Sequence, residues 1–132
     1  MFYGLISVGA GAALGAWLRW GLSLVLNPIV PMLPLGTLSA NLVGGYLIGL
    51  VLGYIDHFQA LSPEARLFVT TGFLGGLTTF STFSGEVSSL LLRGEYVWAG
   101  AVIAANLFGS IVLTLFGVGT IAFAKSWLSG GG

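Results

Sequence analysis

The chain has 132 residues, of which 56% are hydrophobic and only 6% charged, and its four basic and four acidic residues cancel. Soluble domains carry about 25% charged residues and depend on them for solubility, so this composition excludes a soluble globular domain, a disordered tail and a basic nucleic-acid binder. It leaves an integral membrane protein, with room for four spans of about 20 residues and for no soluble catalytic domain.

Charges and prolines punctuate the chain into four apolar runs, which predict an all-α membrane protein. We place four transmembrane helices at about residues 4–26, 36–55, 67–92 and 97–123, all in a single transmembrane domain, 1–132. No basic segment precedes the first run, and it is too long for a signal-peptide core, so it reads as a span. Gly11 and Gly15 in this run, and Gly45, Gly49 and Gly53 in the second, recur every four residues. Small residues at that spacing let helices approach closely in lipid. The prolines Pro28, Pro31, Pro34 and Pro63 all fall in the first two loops, as helix interiors require. The loops, about nine, eleven and four residues long, force neighbouring spans to run antiparallel. The trailing Gly130–Gly132 is given no role. Without cysteine the chain has no disulfide or thiolate chemistry, and the single His57 builds no multi-histidine metal site.

Orientation in a membrane follows the distribution of Lys and Arg. Here Arg66 and Lys125 lie on the side of the N-terminus, and Arg19 and Arg93 on the other. Two against two selects no orientation. A chain without bias inserts both ways, and two opposed copies can pair about a two-fold axis in the membrane plane, the symmetry that inverted repeats achieve within one chain. The expected assembly is therefore an antiparallel homodimer. The competing reading is one orientation set by other factors.

Polar groups at membrane depth are costly and are therefore the informative residues. Thr37 and Asn41 lie one turn apart in the second run. Asn106, Ser110 and Thr114 share a face of the fourth. In the third, Thr78, Thr82 and Glu86 are spaced by four, Ser81, Ser84 and Ser88 form a neighbouring stripe, and Phe80 and Phe83 share another face. Such stripes either line a wet path or bond helix to helix. Gly75-Gly76 followed by Thr78-Thr79 is poor helix sequence. It is either an ordinary kink or a break whose free carbonyls suit a small hard cation such as Na⁺. Arg19 either snorkels to the interface or lends positive potential to a vestibule. Glu86 either carries a proton or accepts hydrogen bonds from the hydroxyl row.

The segment Gly72-Phe73-Leu74-Gly75-Gly76-Leu77-Thr78-Thr79-Phe80-Ser81-Thr82-Phe83-Ser84 resembles the signature of the Fluc (CrcB) fluoride channels. Gly15-Ala16 with Arg19, and Pro34-Leu35-Gly36-Thr37-Leu38 followed by Asn41, resemble that family's first and second helices, so the likeness runs the length of the chain. The resemblance implies a dual-topology homodimer with two antiparallel pores that pass fluoride and reject chloride. It further implies that Phe80 and Phe83 face the ion with their ring edges, that Asn41, Ser110, Thr82 and Ser81 are polar positions beside the pore, and that Arg19 belongs to a vestibule. Thr37, Glu86 and Thr114 would belong to the accompanying polar row. Gly75 and Thr78 would hold a central structural Na⁺, which is not transported, through backbone carbonyls.

The expected function is passive export of fluoride through a multi-pass channel of the bacterial cytoplasmic (inner) membrane. The expected partners are a second copy of the chain, the fluoride ion and the lipid bilayer, with no nucleic acid and no enzymatic activity. Two other readings compete with it. One is a proton-coupled small multidrug exporter using Glu86, which a chamber for bulky cations would favour over small hydroxyl neighbours. The other is a non-transporting assembly subunit.

Overall fold

A computed structural model describes residues 1–130; Gly131 and Gly132, in the trailing glycines, lie outside the described residues. Among the described residues every regular element is helical. Helix α1 is Phe2–Leu26, followed by a 3₁₀ turn at Asn27–Ile29, and α2 is Leu35–His57. Helix α3 covers residues 63–77 in three joined pieces: Pro63–Arg66, a π-helical stretch Leu67–Leu74, and Gly75–Leu77. Helix α4 is Phe80–Leu92 and α5 is Tyr96–Gly130.

Three helical stretches, Phe2–Ile29, Leu35–His57 and Tyr96–Gly130, are long and apolar enough to cross a membrane. The third apolar run differs from the single helix expected over 67–92, because Thr78 and Thr79 are extended and divide it. Thirteen residues of α4 rise about 20 Å, short of a hydrocarbon core of about 30 Å. The fourth run is longer than the expected 97–123. At 35 residues α5 is about 52 Å long, so its ends reach beyond the hydrocarbon unless it tilts.

Glycines decide the packing, as their spacing predicted. Gly45, Gly49 and Gly53 of α2 lie against Ser110, Thr114, Gly117 and Ile121 of α5, so closely that a methyl at Gly49 would collide with the Thr114 carbonyl. Thr114 Oγ1 donates to the Gly45 carbonyl across this seam (2.9 Å), and the Tyr46 and Thr120 hydroxyls bond at 2.9 Å. Gly11 and Gly15 of α1 take the backbone of Phe68 and Phe73 of α3 in the same manner, and Gly76 meets Ala12. Two close pairs result, α1 with α3 and α2 with α5. The fully buried side chains are few, with Leu77, Val102 and Thr37 the largest, while Trp17, Trp20, Phe108 and Phe116 are exposed. That inside-out distribution suits a lipid-facing surface.

Local chemistry sets the ends. Asn27 Oδ1 accepts from the Gly36 and Thr37 amides (2.7 and 3.3 Å), satisfying two free donors at the start of α2. Ser62 caps α3 through the Ala65 amide, with Pro63 in the first turn. Gly94, with φ of 76°, ends α4 in the left-handed region. The Gly94 and Glu95 amides bond the Leu91 and Leu90 carbonyls, the pattern of a Schellman stop.

Candidate functional site

The interruption at Thr78–Thr79 organises the molecule's interior. In a continuous helix the Thr79 amide would bond the Gly75 carbonyl. Thr79 is instead extended (φ −149°, ψ 116°), and its N–H donates to Asn41 Oδ1 of α2 at 2.8 Å. Asn41 Nδ2 donates to the Thr79 carbonyl (3.3 Å) and to Asn106 Oδ1 (2.9 Å). Asn106 Nδ2 in turn donates to the Val102 carbonyl of α5 at 3.0 Å. The Gly76 carbonyl, which the Phe80 amide would serve in a continuous helix, accepts from Arg19 Nε at 3.1 Å. Thr78 Oγ1 donates to the Leu74 carbonyl (2.8 Å), and Thr79 Oγ1 accepts from the Thr82 amide (3.1 Å), capping the restarted helix. Helix α4 thus begins from a fixed point. The Gly75 carbonyl has lost its helical donor, and Gly75 and Thr78 are among the residues that line a cleft.

That cleft, of about 780 Å³, is also bordered by Asn41, Phe80, Phe83 and Ser110. The two phenylalanine rings meet edge to face, with centroids 5.6 Å apart and planes at 60°. Phe80 is 78% exposed, and Phe83 is half-buried against the cluster of Val87, Leu90, Ala99 and Val102. Six residues expected at an ion path or a cation site, Asn41, Ser110, Phe80, Phe83, Gly75 and Thr78, therefore border one cleft.

The remaining expected residues are placed elsewhere. Thr82 and Glu86 border a separate cleft of about 360 Å³ with Ser89 and Arg93. The expected row Thr78–Thr82–Glu86 does not form one helical face, because the break lies between its first member and the other two. Glu86 Oε2 accepts from the Thr37 hydroxyl of α2 at 2.6 Å, so its bonded partner comes from another helix rather than from its own hydroxyl row. Its Oε1 is buried without a protein partner. Thr37 is 1% exposed. Ser81 contacts the Thr79 hydroxyl at 3.4 Å and is exposed. Thr114 bonds the Gly45 and Ser110 carbonyls, so its hydroxyl joins helices. Arg19 Nε donates to the Gly76 carbonyl at the break.

Asn106, a member of the fourth run's polar stripe, is 5% exposed and, with Thr37, one of the buried polar residues. The signal was an amide at membrane depth one turn from Ser110. Asn27 carries no comparable signal, and Thr79 is marked only as part of a poor helix sequence, because capping roles depend on where the break and the turn fall.

Membrane-length helices, glycine seams and a helix interruption whose backbone groups are held by side chains define a multi-pass membrane protein. Residues 6–118 match the family described as CrcB-like protein, Camphor Resistance (CrcB), and the chain belongs to that family. It is 58% identical over 127 residues, 96% of each chain, to a protein of Nitrosospira multiformis named fluoride-specific ion channel FluC. Proteins of the same name from Ralstonia pickettii and Cupriavidus necator are 58% and 57% identical over 89% of this chain and 94% and 93% of theirs. These relatives are named as ion channels, not as enzymes.

Proposed function

We propose that the chain forms a fluoride-selective passive channel through which cytoplasmic fluoride leaves a bacterial cell across its cytoplasmic membrane. The observation that carries this reading is the similarity to fluoride-specific channels over 96% of both chains. Helices α3 and α4 act together as an interrupted fourth crossing. Phe80, Ser81, Ser84 and Ser88 are exposed along α4, and hydroxyls facing hydrocarbon are unfavourable. A second, oppositely oriented copy covers them and completes two pores. The even split of basic residues favours the same antiparallel dimer.

Fluoride must shed water to pass. An aromatic ring is positive at its edge, so the rims of Phe80 and Phe83 attract an anion without a tight site that would trap it. The Ser110 hydroxyl in the same cleft replaces lost water, the Ser81 and Thr82 hydroxyls serve the ion beyond that cleft once the second copy completes the pore, and Asn41 keeps the backbone beside the rings in place. Gly75 and Thr78 fit a resident Na⁺: at least the Gly75 carbonyl lacks its helical donor, and carbonyl oxygens are hard ligands suited to that ion. When bound, Na⁺ supplies a fixed positive charge at the break. Its neighbours Asn41 and Arg19 hold the adjacent Thr79 and Gly76 groups. Fluoride enters acidified cells as neutral HF and ionises inside, so a passive exit suffices. A potential negative inside adds about 2.3 kcal/mol per charge per 100 mV toward anion exit.

The test is efflux from liposomes loaded with potassium fluoride or potassium chloride, started with valinomycin and followed with ion-selective electrodes. Fluoride release without chloride release is the expected result. Release of neither, with efflux of an organic cation driven by a pH gradient, would replace the channel with the Glu86-dependent exporter.

A further inference from the structure

We propose that Asn106 is a positioning residue for the Phe80–Phe83 site: it fixes the direction of the Asn41 side-chain amide, and Asn41 in turn holds the start of α4. The flux readout below rests on the channel reading; the structural readout does not.

A side-chain amide offers an oxygen on one side and two N–H donors on the other, and rotation by half a turn exchanges them. Asn41 faces three groups at once. The Thr79 amide is a donor and needs the oxygen, while the Thr79 carbonyl is an acceptor and needs an N–H. The third group is Asn106, and its own direction is set independently. Its Nδ2 donates to the Val102 carbonyl one helical turn back, which leaves Oδ1 turned toward Asn41. Asn41 must then present Nδ2 to Asn106, and this orientation also places Oδ1 on the Thr79 amide. Exchanging the Asn41 amide would set donor against donor at Thr79 N, and acceptor against acceptor at Asn106 Oδ1. At 5% exposure no solvent competes for Asn106, and unpaired polar groups in such surroundings are unfavourable.

The consequence travels by direct contact. Asn41 pairs both backbone groups of Thr79, and Thr79 Oγ1 caps α4 through the Thr82 amide. The next residue is Phe80, and Phe83 follows one turn on. Asn106 thus governs the phenylalanine pair through two intermediates and without touching either ring. The chain of bonds also crosses from α5 through α2 to α4, so it ties the aromatic pair to the glycine seam between α2 and α5.

The experiment uses the full-length protein as wild type, Asn106→Leu and Asn106→Asp. Leu matches the size and removes every polar group; Asp keeps an oxygen facing Asn41. Backbone amide hydrogen exchange is measured for the detergent-solubilised protein, and fluoride efflux is measured from liposomes. In Asn106→Leu, exchange at Thr79 accelerates by about tenfold or more, while amides in the middle of α1 and at Leu115 keep wild-type protection; a local loss of this kind distinguishes misplacement from unfolding. Asn106→Asp keeps Thr79 protected within about threefold. Fluoride efflux falls by about tenfold in the Leu variant and by less in the Asp variant. Wild-type protection at Thr79 in Asn106→Leu would overturn the proposal, and so would exposed Thr79 with undiminished fluoride efflux. If wild type itself passes no fluoride, the channel reading fails, and the exchange comparison alone decides whether Asn106 positions the break.

Discussion

Phe80 and Phe83 show how far a residue's type and its placement can be separated. Their spacing put them on a common face, and the structure brings them edge to face beside Ser110 and Asn41. Isoleucine keeps the bulk and loses the electropositive rim. Phe80→Ile and Phe83→Ile should each lower fluoride efflux by about tenfold, the equivalent of roughly 1.4 kcal/mol of ring-edge interaction, with an unchanged elution profile on size exclusion. Wild-type flux in both would remove the rings from the path. Thr37 makes the opposite case, a residue whose effect is on stability first. Its hydroxyl serves Glu86 Oε2, and the other carboxylate oxygen already lacks a protein partner. Thr37→Val leaves that half-buried acid without its neutral donor and should destabilise the fold by about 1–3 kcal/mol, read as a lower thermal midpoint in detergent. The sequence signalled both residues as polar groups at depth, but it paired Glu86 with the hydroxyls of its own helix. Spacing along one helix reveals which residues share a face; it carries no information about which neighbouring helix that face meets. The same gap hid the bond from Arg19 to the Gly76 carbonyl, since that acceptor exists only because the helix breaks.

Among the elements, the glycine seams were the most legible feature. Four-residue repeats of glycine mean close helix approach wherever they occur in lipid, and the α2–α5 seam follows Gly45, Gly49 and Gly53 as spaced. The seam also makes a sharp prediction, because not every glycine belongs to it. Gly49→Ala drives a methyl into the Thr114 carbonyl and should cost about 1–3 kcal/mol, as overpacking does. Gly119→Ala, on the same α5 helix with open space where the methyl goes, should be neutral or stabilising. Thermal unfolding of the two variants in one detergent checks the contrast; equal behaviour would mean the seam does not set stability. The third run was less legible. Gly75-Gly76 and Thr78-Thr79 marked the weak point, yet the π-helical turns over Leu67–Leu74 had no sequence signal that periodicity could register. The Gly75 amide bonds the Thr70 carbonyl five residues back, and the α1 glycines make room for the widened backbone. A wider helix of this kind depends on its neighbour's small residues, so it is a property of the pair α1–α3.

For the whole molecule, composition alone established a membrane protein, because 6% charged residues cannot clothe a soluble surface. The proposed antiparallel dimer rests on two features of different kind: a balanced count of basic residues, and a face of α4 that leaves hydroxyls and Phe80 uncovered. If opposed copies form the unit, a single cysteine introduced at Ser129 should react with a membrane-impermeant maleimide in about half of the molecules in sealed inside-out vesicles, because unbiased insertion places that end on either side. Uniform labelling, or uniform protection, would establish one orientation and remove the antiparallel dimer. The central claim, that the chain conducts fluoride passively and selectively, is tested most directly by the current across a planar bilayer holding the purified protein, with fluoride on one side and chloride on the other at one pH. The account predicts a voltage-driven current whose reversal potential follows the fluoride gradient; a reversal potential that follows chloride, or a current that appears only when a proton gradient is imposed, would contradict it.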